Sequence, residues 1–172
     1  MRKRKARAED YMNLCRFYDE VIRQQENDLY TPMWTRGVYP DESDIAFHLQ
    51  QGHFLLLTED GRIAAAAALS LQEDEMYRDF NWPSEIDEDQ IAVIHLLAVN
   101  PDFRGRQLGK AILDYCICEA QKSCRAIHLD VMPGNLIAEK LYLSAGFRFA
   151  GEKTVFYPDT GVVTVRLFEY VF

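Results

Sequence analysis

The chain predicts a mixed α/β fold, an antiparallel meander followed by one strand–helix–strand crossover. Three observations predict it. Two apolar runs, His53–Thr58 and Arg62–Leu71, flank Glu59-Asp-Gly61, and Asp-Gly between such runs signals a hairpin. Ile91–Val99 is a nearly unbroken apolar run, as expected of a central strand covered on both faces. A glycine-containing basic turn then leads into a stretch of helical period.

The elements follow in order. Residues 2–7 suit a short first strand. From Glu9 to about Gln25, Tyr11, Leu14, Cys15, Tyr18, Val21 and Ile22 recur at the spacing of an amphipathic helix. Asp41–Gln50 reads as a second helix, introduced by Pro40 and ended by Gly52. Ala64–Ala68 is a poor strand former by propensity. The turn and the flanking Ile63 and Leu69 outweigh that preference. Residues 72–90, acidic and carrying Trp82-Pro83, read as a loop or a strand-to-strand insertion. A helix is expected from Leu108 to Ser123, with Leu108, Ala111, Ile112 and Tyr115 toward the core, then a strand at Arg125–Met132. Asn135–Ala145 is a further helix with Gly146 as its left-handed cap. Strands at about 147–157 and 162–171 flank the turn Pro158-Asp-Thr-Gly161.

Composition bounds the function. A chain of 172 residues suits one domain, spanning 1–172. Its 48% hydrophobic and 27% charged residues exclude a disordered chain. No apolar run approaches the roughly 20 residues of a membrane-spanning helix. The basic start, Met1 to Arg7, lacks the apolar stretch of a signal peptide, so a cytoplasmic protein without membrane contact is expected. The net charge is −8. Residues 73–89 hold eight acids and one base, Arg78, and so carry −7. No basic face dominates, which argues against nucleic acid as a partner. The five basic residues among the first seven read as a solvated strand edge. Cys15, Cys116, Cys118 and Cys124 form no Cys-x-x-Cys pair or zinc spacing, and are expected to be buried and inert. No metal is expected.

Arg104-Gly-Arg-Gln-Leu-Gly-Lys110 is the most informative stretch. A helix N-terminus offers unpaired backbone N–H groups and partial positive charge to an anion. Gly105 and Gly109 let the backbone come close, and Arg104, Arg106 and Lys110 add three cations. Together they describe a pyrophosphate cradle; on its own, the turn also reads as a solvated basic loop. The Gly-x-Gly-x-x-Gly dinucleotide pattern is absent. Three residues separate Gly105 from Gly109 and Ala111 follows Lys110, so a phosphate loop with a magnesium-binding hydroxyl is absent too.

The run His95 to Leu113 resembles the GNAT superfamily of acyl-CoA-dependent N-acetyltransferases, whose Arg/Gln-x-x-Gly-x-Gly/Ala turn corresponds to Arg104-x-x-Gln107-x-Gly109. Gln107 stands where the family has its first glycine. Asn135-x-x-Ala138-x-x-x-Tyr142-x-x-x-Gly146-Phe147 matches a second family segment in the right order. The two cover about residues 91–150. The resemblance implies a mixed, mostly antiparallel sheet of about six to seven strands flanked by helices, with acetyl-CoA as co-substrate. It implies that Arg104, Gly105, Arg106, Gln107, Leu108, Gly109 and Lys110 hold the pyrophosphate. It implies that Asn135 contacts the cofactor and that the Tyr142 hydroxyl lies near the thioester sulfur. On the residues alone, Asn135 is equally an N-cap and Tyr142 equally core. A main-chain N–H near Ala98–Val99 would stabilise the oxyanion, where the neighbouring strand splays. Leu97 and Val99 would pair with pantetheine through backbone atoms.

The acceptor amine must lose a proton. Residues 93, 95, 97 and 99 are expected on one strand face, which holds no carboxylate where the family often has glutamate. His95 is the candidate base, with a structural histidine as the alternative and Glu85 or Asp87 as competitors. The acidic segment, with Tyr77, Phe80 and Trp82, reads either as a wall for a cationic amine or as a solvated loop. Residues 33–40, with Trp34 and Tyr39, are a second candidate wall. The expected function is acetyl transfer to a primary amine of a small, cationic molecule or a peptide. A non-catalytic acyl-CoA sensor is the alternative. A homodimer through Val162–Phe172 stays open.

Overall fold

The computed structural model describes every residue except Tyr30 and Asp159. Its strands are β1 (Arg2–Lys5), β2 (Phe54–Glu59), β3 (Arg62–Ser70), β4 (Ile91–Val99), β5 (Ala126–Val131), β6 (Arg148–Tyr157) and β7 (Gly161–Val171). Its helices are α1 (Tyr11–Gln25), α2 (Glu42–Gln50), α3 (Leu108–Ala120) and α4 (Leu136–Ser144). The strands form one sheet in the order β1-β2-β3-β4-β5-β7-β6. Only β4 and β5 run parallel. The predicted turn Pro158-Asp-Thr-Gly161 lies partly outside the described residues, at Asp159.

The alanine run is a strand because of what covers it. Ala65 and Ala67 pack in the cluster that includes Ile112, Leu113 and Cys116 of α3, and Ala66 and Ala68 pack with Leu14, Phe17 and Tyr18 of α1. All four are fully buried. Small side chains on both faces let a helix approach from either side, so tertiary packing overrides the weak propensity.

Two irregularities of β4 shape the site. The first is a bulge. Ala66 pairs with Ala98 and Ala68 with His95, so Ala67 faces both Leu96 and Leu97. Leu96 takes a left-handed φ of 56°. The buried Tyr18 hydroxyl donates to the Leu96 carbonyl at 2.7 Å, satisfying an acceptor that the bulge displaces. The bulge also reverses the alternation of side chains. Leu97 and Val99 pack with the α3 cluster, whereas Leu96 and Ala98 pack with α1, and Val93 lies in a third cluster with Tyr77. The expectation that residues 93, 95, 97 and 99 share one face is therefore corrected: the bulge separates Val93 from Leu97 and Val99. The second irregularity is the splay. The parallel ladder holds only Ile91–Ala126, Ala92–Ile127 and Val93–His128. Beyond Val93, β4 has no β5 partner among the described residues, and a V-shaped gap opens.

Residues 72–90 form a loop with short 3-10 turns at Glu75–Tyr77 and Glu88–Gln90. It is anchored by buried polar side chains. The His128 ring lies between Glu73 (Nδ1 to Oε2, 2.6 Å) and Glu169 (Nε2 to Oε1, 3.3 Å), and Ser84 donates to Glu169 at 2.9 Å. Trp82 stacks on that ring, centroids 3.5 Å apart.

Two further expectations are corrected. Helix α3 stops at Ala120, three residues before Ser123. Of the cysteines only Cys116 and Cys124 are buried; Cys15 is half-buried and Cys118, on the outer side of α3, is exposed. Burial pushes the Cys116 thiol up to about 12. No helix among the described residues is long and apolar enough to cross a membrane.

Candidate active site

The cofactor side begins where β4 ends. Asn100 caps a single 3-10 turn, Pro101–Phe103, by accepting from Asp102 N at 2.9 Å. The chain then enters α3 through Gln107, whose φ of 56° and ψ of 26° are left-handed. This is the position where the family motif has glycine, and the backbone adopts the glycine-like conformation although the side chain is glutamine. The Gln107 side chain makes no capping bond. The first N–H groups of this 13-residue helix therefore meet no capping side chain and point toward any anion placed there. A Cβ at Gly109 would stand 3.5 Å from Leu141 Cδ2 and 3.9 Å from Val99 Cγ2. The turn is thus packed against β4 and against the α4 residue preceding Tyr142.

The three cations of the turn do not stand free. Arg104 holds Asp28 through two bonds of 2.7 Å. Arg106 holds Glu59 at 2.7 and 2.8 Å, and Lys110 holds Asp114 at 2.6 and 2.9 Å. Their charge is spent on partners within the chain, so the cradle that remains is made of backbone. That backbone fits a pyrophosphate.

The splay opens into a cavity of about 840 Å³. His95 and Leu97 of β4, Asp130 of β5, and Asn135, Ala138 and Tyr142 of α4 line it. The structure thus brings together His95, Leu97, Asn135 and Tyr142 from the expected residues. Ala98, Val99 and the turn 104–110 are not among its lining. Asn135 is an N-cap as well, accepting from Ala138 N at 3.3 Å. Tyr142 is 7% exposed. Burial, with smaller contributions from Cys116 and Asp130, pushes its phenol far above the usual value, so the hydroxyl keeps its proton at neutral pH. Burial pulls the His95 imidazole down, against the opposing pull of Asp74, Asp130 and Glu73. Its Nε2 is 3.8 Å from Asp74. His95 is therefore a neutral ring beside carboxylates, able to accept a proton.

The acceptor wall comes from many elements. Trp34 and Tyr39 line it, as expected for residues 33–40. Of the eight acids of that segment only Glu73, Asp74 and Glu75 reach it. Glu85 and Asp87, the competing bases, are not among the lining residues, because the loop turns away after Arg78. Tyr77, Phe80 and Trp82 are not walls either; they pack in the cluster over β5 and β7. Sequence reasoning missed three groups. Asp130 accepts from the Tyr77 hydroxyl on Oδ1 and from the Tyr157 hydroxyl at 3.1 Å on Oδ2. Burial raises its carboxyl, and those two phenols oppose the rise. His48 and His53 line the same cavity. The only signal for Asp130 was a carboxylate inside a mostly apolar strand, Ala126–Val131. Among the described residues no group of three or more His, Cys, Asp or Glu side chains could hold a metal ion.

Comparison with known proteins agrees with this geometry. Residues 19–147 match the family model described as "Acetyltransferase (GNAT) family". The [ribosomal protein bS18]-alanine N-acetyltransferase of Escherichia coli K12 is 31% identical over 122 residues, 69% of this chain and 72% of that protein. A GNAT-family acetyltransferase of Streptococcus agalactiae superposes with a TM-score of 0.80 at 19% identity, covering 99% of this chain and 95% of that one. The yncA protein of Salmonella typhimurium, solved with its cofactor acetyl-CoA, superposes at 0.70 and 17% identity, covering 99% and 93%. With the family matched across most of the chain and its fold shared over 99% of it, this protein belongs to the GNAT acetyltransferases and is an acetyl-CoA-dependent N-acetyltransferase.

Proposed function

We propose that residues 1–172 form one acetyltransferase domain that moves the acetyl group of acetyl-CoA directly to a cationic primary amine, on a peptide or a small molecule. The charge of the cavity carries this reading. Asp44, Glu73, Asp74, Glu75 and Asp130 line it with a single arginine, Arg78, among the described residues. Such a wall draws in an ammonium and repels a carboxylate. The relatives named for alanine N-acetylation of a ribosomal protein favour the peptide arm.

In this reading the turn from Arg104 to Lys110 holds the pyrophosphate on the backbone N–H groups at the start of α3. Asn135 sits beside the pantetheine arm. Leu97, Ala98 and Val99 present main-chain groups to it along the unpaired edge of β4. Bound acetyl-CoA supplies an acyl group activated as a thioester. Asp130 anchors the incoming ammonium, and His95 takes its proton on an imidazole nitrogen. Tyr142 donates its Oη hydrogen toward the departing sulfur.

The test combines calorimetric titration of acetyl-CoA with a thiol-release assay on spermidine and on a basic peptide with a free N-terminal alanine. Micromolar acetyl-CoA binding, with thiol release on a cationic acceptor, is expected. Binding without release on either acceptor contradicts the proposed acceptor class.

A further inference from the structure

We propose that His95, His48 and His53 form a proton exit, a chain of three imidazoles that carries the amine's surplus proton out of the acceptor cavity. The proposal rests on the acceptor reading above. His48 closes the last turn of α2 and His53 stands just before β2, on either side of Gly52. Their Nδ1 atoms lie 3.0 Å apart. At that separation one nitrogen must carry hydrogen and the other offer its lone pair, so the pair is already arranged for a proton to cross. The rings of His48 and His95 lie 5.4 Å apart between centroids, inclined at 35°. All three line the acceptor cavity. His53 also lines a second, adjoining cavity of about 220 Å³, together with Lys5, Gly52 and Glu119. The chain of rings thus starts beside the reacting amine and ends at His53, the ring that the two cavities share.

Stoichiometry gives the exit its purpose. A neutral amine and a thioester yield an amide and a thiol, and the proton lost by nitrogen is the one gained by sulfur. An ammonium brings one proton more, which must leave the cavity. In the exit step an N–H bond of the ammonium breaks, and its electron pair stays on nitrogen. The proton goes to His95. A proton then passes from His95 to His48, from His48 through Nδ1 to His53, and from His53 to bulk water. Each ring ends neutral.

The surroundings suit a conduit. The charged groups facing His95 are Asp74, Asp130 and Glu73. Facing His48 are His95 and His53, with Asp44 one turn earlier on α2. Around His53 are His48, His95, Lys5 and Glu119. Burial, reinforced by His95 and His53, lowers the His48 imidazole to about 3, and burial lowers His53 as well. Both rings therefore rest neutral, each with one nitrogen able to take a proton and the other able to release one.

The experiment uses an amidated pentapeptide of N-terminal alanine, glycine and three arginines. Its α-amine has a pKa of roughly 8, so it arrives protonated at about pH 6.5 and neutral at about pH 9.5. His48→Gln is expected to lower kcat about tenfold at the lower pH and less than twofold at the higher, with KM unchanged at both. His53→Asn, at the outer end, follows the same pattern, and added imidazole restores its rate at the lower pH. A loss of equal size at both pH values, in either folded variant, overturns the exit. A wild-type enzyme that acetylates neither this peptide nor spermidine overturns the acceptor reading, and the exit with it.

Discussion

The pyrophosphate turn and the acceptor cavity are both dense in charge, and they use it in opposite ways. In the turn each cation is already matched: Arg104 by Asp28, Arg106 by Glu59, Lys110 by Asp114. What is left for a ligand is the open N-terminus of α3. In the cavity, among the described residues, neither Asp74 nor Asp130 has a lysine or arginine partner; they face His95 and two phenols. A matched charge shapes the protein, and an unmatched one is held for a ligand. In the proposed reading the cofactor half recognises through backbone, which tolerates changes of side chain. The acceptor half, in the same reading, recognises through side chains, where recognition does not tolerate such changes.

The sharpest break of this comparison is at Tyr142, where the two halves meet. Tyr142→Phe is expected to lower kcat about a hundredfold and leave acetyl-CoA affinity within about twofold, since the lost group donates a proton and does not hold the cofactor. Parallel stopped-flow rates and calorimetric titrations check this. Next in size is Asp130→Asn, which keeps one of the two oxygens that accept from Tyr77 and Tyr157 and removes the anion. Steady-state kinetics on a cationic acceptor are expected to show kcat/KM about tenfold lower, in line with the ~1.5–3 kcal/mol of a hydrogen bond to a charged group. On the cofactor side, Arg104→Ala and Arg106→Ala are each expected to weaken acetyl-CoA binding less than threefold, because these exposed pairs are worth about 0–1 kcal/mol and the ligand sits on backbone. A tenfold loss in the titration would move the recognition to the side chains. The smallest effect is expected from Gln107→Gly. Relieving a left-handed glutamine gains about 1 kcal/mol, raising Tm by roughly 2–4 °C in a scanning calorimeter with acetyl-CoA affinity unchanged.

The same contrast explains what was legible in the sequence. The turn, the Asn135–Gly146 segment and the Asp60-Gly61 hairpin are local patterns, where spacing decides geometry. The left-handed conformation of Gln107 was foreshadowed by the glycine that the family places there. The bulge at Leu96 was not legible, since nothing in an unbroken apolar run marks where alternation reverses. His48, His53 and Asp130 come from α2, the start of β2 and β5, and only tertiary packing brings them together. Trp82 and Tyr77 look on paper like binding aromatics, yet burial against β5 and β7 claims them. Ala64–Ala68 shows the reverse case, weak in propensity but a strand by packing.

The central claim is that uncompensated carboxylates reserve the cavity for cationic amines. The most direct measurement is kcat/KM for two peptides with the same N-terminal alanine, one followed by arginines and one by glutamates, across a range of salt concentration. A preference of more than about tenfold for the basic peptide, shrinking as salt screens the cavity, is expected. Equal rates on the two peptides, or a preference that salt leaves unchanged, would contradict the account.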